Sequence, residues 1–201
     1  MDASEVIRKL GLDDEAIVNV YPYGSRVYGT ATEYSDYDYI IVYKSAFLPN
    51  GAFRNNAISS EDRKIQGVCY SRSGFQDALN NYEIGAIECM YLPDEMILRQ
   101  KWPFKNYKWD KKEMSRRIIT KASDSWHNAK MRLSDDDLET SKKGLWHALR
   151  ILLFGIQLKE HGKIIDFTEA NSLRDKIFDD DDFNLKKWIN YRDELMNKLR
   201  Q

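Results

Sequence analysis

Long apolar runs are missing from this chain of 201 residues, and cysteine is scarce, with two in all. The longest unbroken hydrophobic stretch, "ILLFGI" at Ile151 to Ile156, falls far short of the ~20 residues needed to cross a bilayer. Cys69 and Cys89 stand well apart and show no metal-ligand spacing. Buried thiols in a reducing compartment are the expectation. The opening MDASEVIRKL lacks the apolar core of a secretory signal, which makes the cytoplasm the expected location. Net charge is also close to absent, at -1, so any attraction to phosphate or nucleic acid must come from local patches. There is no internal repeat and no low-complexity segment. What remains is a chain 42% hydrophobic and 31% charged, long enough to bury a core.

The character of the sequence changes once. Residues 1–98 read as mixed helix and strand, and 99–201 as helix alone, giving an α+β class with an all-helical C-terminal region. "SEVIRKLG" predicts a short helix capped by Ser4 and ended by Gly11. "AIVNVYPYG" and "SDYDYIIVYK" predict strands, as does "RKIQGVCYS". "SAFLPNGAFRNNAISS" reads as a loop or hairpin tip, "FQDALNN" as a short helix, and "IGAIECMYLP" as a fourth strand ended by Pro93. From Lys111 the apolar period becomes 3.6. Met114, Ile118, Ala122, Ala129 and Leu133 form one stripe, and Leu145, Leu149, Leu152 and Ile156 a second, closed by Gly162. Asp166 and Glu169 resemble a capping box for a third helix, and Leu185 to Leu199 mark a last one.

One segment carries chemistry: "YPYGSRVYGTATEYSDYDYIIVYK", Tyr21 to Lys44. Side chains two apart on a strand share a face, so Asp36 and Asp38 present both carboxylates together. Two like charges so placed call for a cation between them, and an oxygen-only donor set points to Mg²⁺ or Mn²⁺ over zinc. Gly24-Ser25 follows an apolar run, where glycine lets backbone N–H groups approach a phosphate and serine adds a hydroxyl. A phosphate turn beside paired carboxylates is equipment for displacement at a nucleoside triphosphate.

The order and spacing of these residues resemble the DNA polymerase beta-type nucleotidyltransferase superfamily: an apolar residue and Gly-Ser, a gap of about ten, then Asp-x-Asp among apolar positions. "GSRVYGTATEYSDYD" is most similar to the motif GSRAYGLATPDSDYD of the RlaP family, predicted nucleotidyltransferases associated with RNA repair, with Arg26, Tyr28, Gly29, Ala31, Thr32 and Tyr37 also matching. The resemblance covers the first half of the chain and is looser over the helical half. It implies a third carboxylate on a later strand. Glu88 is the candidate, with Glu83, Glu61 and Asp62 as rivals. It further implies two metal positions shared by Asp36, Asp38 and Glu88, and phosphate contacts from Gly24, Ser25 and Arg26. Lys142 and Arg150, with Lys143 and His147 at helical spacing, are placed to reach a triphosphate.

The acceptor is read from a second feature. Between Arg99 and Arg132 stand eleven Lys and Arg against Asp110, Glu113 and Asp124. Trp102, Phe104, Tyr107, Trp109 and Trp126 interleave with them, and cations with stacking aromatics suit single-stranded nucleic acid. Lys112, Arg116, Arg117 and Lys121 are the candidate RNA contacts. The expectation is therefore nucleotidyl transfer from an NTP to an RNA or tRNA end. A protein or small-molecule hydroxyl, of the toxin–antitoxin or aminoglycoside type, is the alternative acceptor, and an inactive nucleotide- or RNA-binding module is the alternative class. The acidic runs "SDDDLE" and "FDDDDF" read as solvated loops. Oligomeric state is not legible.

Overall fold

The computed structural model describes residues 1–46, 54–104 and 110–201. The chain divides into two compact units, Met1–Lys108 and Trp109–Gln201, the first built on a mixed sheet and the second from helices alone.

In the first unit, Asp2 rather than Ser4 starts α1 (Ala3–Lys9), its side chain accepting from the Glu5 N–H. Strands β1 (Ile17–Tyr23), β2 (Tyr37–Tyr43), β3 (Arg54–Ser59), β4 (Ile65–Ser71) and β5 (Arg99–Gln100) form one sheet in the order β3-β4-β2-β1-β5. β2 and β4 run parallel, and the other pairings are antiparallel. Alternation then sorts the side chains. Tyr39, Ile41 and Tyr43 join Val6, Ile7, Ile17, Val20, Ile65 and Cys69 in the core beneath α1. The opposite face is covered by α2 (Arg72–Asn80) and α3 (Ile84–Tyr91). There Tyr21 stacks on Phe75 at 5.9 Å and Tyr70 meets the same ring edge-on at 5.7 Å. Both cysteines are buried free thiols.

Three expectations change. "IGAIECMYLP" is the helix α3, not a strand. The segment read as a hairpin tip contains β3, while residues 47–53 of it lie outside the described residues. The division of the chain falls at Lys108/Trp109, beyond the expected 98/99, because Arg99–Gln100 pairs with β1. Buried Asn19 reinforces that pairing, donating to the Trp102 carbonyl at 2.8 Å and accepting from its N–H at 3.0 Å.

The topology has a consequence at one end of the sheet. Antiparallel β1 and β2 bring the finish of β1 beside the start of β2, with Tyr23 opposite Asp38. Parallel β2 and β4 bring the start of β4 to the same end, with Asp38 opposite Gln66. A turn after β1, the two aspartates and Gln66 are thereby neighbours.

In the second unit, α4 (Lys111–Ser134) and α5 (Leu138–His161) have 24 residues each, about 36 Å of helix. They pack as a hairpin, with Ser141 donating to the Ala129 carbonyl at 2.8 Å. α4 buries Met114, Ile118, Ala122, Trp126 and Ala129, whereas α5 is buried around most of its circumference. α6 (Asn171–Phe178) and α7 (Ile189–Arg200) complete the unit. The expected capping box is a turn instead: Asp166 accepts from Thr168, Glu169 accepts from Gln157, and α6 begins later. The acidic runs serve locally, Asp137 capping α5 and Asp180 pairing with Lys187 at 3.1 Å. Among the described residues no helix is long and apolar enough to cross a membrane.

Candidate active site

Gly24 opens the turn that follows β1, at φ +77°. The left-handed backbone alone favours glycine there, and the neighbourhood adds a second reason. A Cβ at this position would collide with Asp38 Oδ2 and lie 3.1 Å from its Cγ. The Gly-Ser turn and the second aspartate are thus in van der Waals contact through the missing side chain. The two halves of the sequence motif are one object.

Arg26 ties them again. Its guanidinium donates to the Ser35 carbonyl at 2.7 Å and to the Asp36 carbonyl at 3.3 Å, and lies 3.6 Å from the Tyr37 ring centroid. These contacts give Arg26 a job holding the approach to β2 against the turn, in place of the phosphate contact expected of it. The intervening loop is self-braced. Thr30 donates its N–H to the Ser25 carbonyl at 2.9 Å, and Ser35 Oγ accepts from the Thr32 N–H at 2.9 Å.

Asp36 is exposed and Asp38 half-buried, both on the face of β2 away from α1. Gln66, unremarked in the sequence, completes this corner by donating its amide Nε2 to Asp36 Oδ2 at 2.7 Å. Its signal was a polar residue at the one alternate position of "KIQGVCY" that faces the carboxylates. Seeing it required knowing that β4 runs parallel to β2.

Glu88 is elsewhere in character. It lies on α3, is 1% exposed, and accepts a hydrogen bond from the equally buried Tyr28 hydroxyl at 2.6 Å. Among the described residues no group of three or more His, Cys, Asp or Glu is placed to hold a metal ion. Glu88 instead anchors the loop after Gly24 to α3, since Tyr28 belongs to that loop. Two outcomes follow. Tyr28→Phe lowers stability by about 1–3 kcal/mol in urea denaturation, the range for leaving a buried acceptor without its donor. Glu88→Gln, which keeps an acceptor for Tyr28, retains transfer within about tenfold of wild type, where loss of a metal ligand removes several kcal/mol of transition-state stabilisation.

The expected cations of α5 are turned into the helical unit. Lys142 is buried and donates to the Phe178 and Asp180 carbonyls at 2.9 Å each, closing the end of α6. Arg150 is 2% exposed, set against the Trp146 and Phe154 rings, with a nitrogen 3.3 Å from His147 Nδ1. Burial, and then Arg150 and Lys143, push the His147 pKa down to about 3, so its ring is neutral and accepts from Arg150. The expectation that both cations reach a triphosphate rests on their helical spacing, which the sequence shows, whereas the burial of α5 it does not.

Lys112, Arg116, Arg117 and Lys121 are exposed on α4. Glu113 engages two of them, Arg116 at 2.6 Å and Arg117 at 2.9 Å, and its own pKa falls to about 2 through those bonds. Of the interleaved aromatics, Phe104 and Trp126 are buried. Trp102 is partly exposed under the Arg72 guanidinium, and Tyr107 and Trp109 lie outside the described residues.

A Gly-Ser turn packed onto one of two neighbouring carboxylates, at the end of a mixed sheet, is an arrangement suited to displacement at a nucleotide phosphate. Residues 3–101, nearly the whole of the first unit, match the nucleotidyltransferase domain family. Across 98% of this chain and 96% of the other, the fold resembles spectinomycin adenyltransferase from Enterococcus faecialis, solved with ATP and spectinomycin, at TM-score 0.52 and 13% identity. A nucleotidyltransferase-like protein from Exiguobacterium sibiricum aligns over 94% of this chain and 70% of its own at TM-score 0.32 and 12% identity, too distant to carry an argument. Comparison with curated proteins found no match.

Proposed function

We propose that the protein is a divalent-metal-dependent nucleotidyltransferase that moves a nucleoside monophosphate from an NTP to a hydroxyl, releasing pyrophosphate. The observation that carries this reading is the contact of Gly24 with Asp38, which fixes a phosphate turn against a carboxylate pair. The donor chemistry fits Mg²⁺ or Mn²⁺. Asp36 and Asp38 supply two carboxylate oxygens and no nitrogen or sulfur, and such ions are commonly held by one or two carboxylates together with substrate phosphates. Bound there, the ion would polarise the α-phosphate and neutralise charge on the leaving pyrophosphate. Asp36 and Asp38 would hold it, the backbone N–H groups at Gly24 and Ser25 would supply donors to the β- and γ-phosphates, and Arg26 keeps the turn in register with β2. The acceptor oxygen bonds to the α-phosphorus as the bond to the bridging oxygen breaks, and the acceptor proton leaves to solvent.

For the acceptor, the exposed cations of α4 support an RNA end, in line with the RlaP-like motif. The burial of Phe104 and Trp126 withdraws two of the stacking platforms that RNA binding would use. The fold of the spectinomycin adenyltransferase, shared along both chains, supports a small polyhydroxylated acceptor. We favour the small hydroxyl acceptor. α-labelled NTPs with Mg²⁺ or Mn²⁺, offered short RNAs, tRNA and a set of aminoglycosides and aminocyclitols, decide it. Label on the small molecules supports the reading, label on RNA moves the acceptor to a nucleic-acid end, and no Asp36-dependent label on any acceptor overturns transfer itself. The cytoplasm, where NTPs and Mg²⁺ are abundant, is the compartment that suits this chemistry.

A further inference from the structure

We propose that Gln66 is a positioning residue that sets how the site acquires its metal: the cation enters together with the triphosphate and not before it. The inference rests on the nucleotidyl-transfer reading and extends it to the order of binding.

Gln66 stands opposite Asp38 in the parallel β2–β4 register, while Ile65 and Cys69 beside it point into the core under α1. It therefore shares the face of Asp36 and Asp38. Its side chain donates to Asp36 Oδ2 at 2.7 Å. The orientation of the amide is settled by chemistry, because a carboxylate accepts and does not donate, so nitrogen and not oxygen must face it. Gln66 is exposed, so this bond is not a core necessity. It does two things at once. It fixes one oxygen of Asp36, and so restrains the carboxylate that would hold the cation. It also keeps the third position of the corner neutral, at the one place on β4 where a further carboxylate would make a cage.

Ligand charge count is a main determinant of affinity for a hard cation. Two carboxylates and an amide donor are a weak cage for Mg²⁺ in water. With a triphosphate on the Gly24 turn, phosphate oxygens supply the missing negative ligands. Gln66 thus holds Asp36 ready without making the empty pair a trap for free metal.

The test is a Mn²⁺ titration followed by the electron paramagnetic resonance signal of the free ion, with and without a non-transferable α,β-methylene NTP analogue. With Mn²⁺ held by the analogue in protein-free titrations subtracted, wild type is expected to bind Mn²⁺ at least about tenfold more tightly with the analogue than alone. Gln66→Glu adds a carboxylate of the same shape, and its affinity for Mn²⁺ without nucleotide rises about tenfold or more. Gln66→Ala loses about tenfold in analogue-dependent Mn²⁺ affinity, as removal of a group that orients a metal ligand does, with an unchanged melting temperature. Equal Mn²⁺ affinity with and without the analogue in wild type, or no gain in Gln66→Glu, overturns the proposal. An Asp36→Asn/Asp38→Asn protein separates the two layers. If it still binds Mn²⁺ with the analogue as wild type does, the nucleotidyl-transfer site itself is misplaced. If it loses that binding while Gln66→Glu behaves as wild type, only the role of Gln66 fails.

Discussion

Gly24→Ala is expected to reduce nucleotidyl transfer by about 10²-fold or more, the scale of an ångström-sized misplacement of catalytic groups. Two effects combine. Alanine at φ +77° is strained by about 1–2 kcal/mol. Its Cβ would also occupy the space of the Asp38 carboxylate, whose Cγ would stand 3.1 Å away, so either the turn or the aspartate must move. Gly11 provides the control. It has φ +68° and nothing within 4 Å of an added Cβ, so Gly11→Ala carries the backbone strain without the collision. Both variants should melt earlier, Gly24→Ala by the larger amount, and only Gly24→Ala should lose activity. Steady-state rates at saturating NTP, beside melting curves for the pair, check this. Equal activity in the two variants would sink the claim that Gly24 is there for Asp38.

The site was legible in the sequence to the extent that its parts are local. Gly24, Ser25, Asp36 and Asp38 lie within one hairpin-like excursion, and β1 and β2 announce themselves by apolar β-branched runs between turn signals. What the sequence could not show was which later residue comes back to that corner. A later carboxylate in an apolar context was the expected partner, and Glu88 met that description. "IGAIECMY" is eight residues of nearly continuous hydrophobicity, a pattern shared by a buried strand and a buried helix. The helix is what forms, and in it Glu88 is bonded to Tyr28. The returning residue is Gln66, reached through a parallel pairing that no local pattern encodes. Lys142 and Arg150 illustrate the converse. α5 is buried on most of its sides, and these two cations become interior struts while Lys143 stays exposed.

Asp36→Asn and Asp38→Asn should each lose about 10³-fold or more in transfer, since each removes a charged ligand contributing several kcal/mol to the transition state. Neither should be less stable than wild type in metal-free buffer, because each relieves a like-charge juxtaposition on one strand face. A loss of activity with unchanged or higher stability is the signature of groups kept for chemistry at the expense of folding. The double variant makes the sharper argument. If the two acids act independently, their losses multiply, and Asp36→Asn/Asp38→Asn falls by the product of the single effects. If they form one cation site, either substitution disables it, and the double variant is scarcely worse than the poorer single. The contact of Asp38 with Gly24 and the bond of Asp36 to Gln66 place the acids in a single corner, so the second outcome is expected. Multiplying losses, measured with labelled NTP over a range of Mn²⁺ concentrations, would mean that the aspartates serve separate tasks.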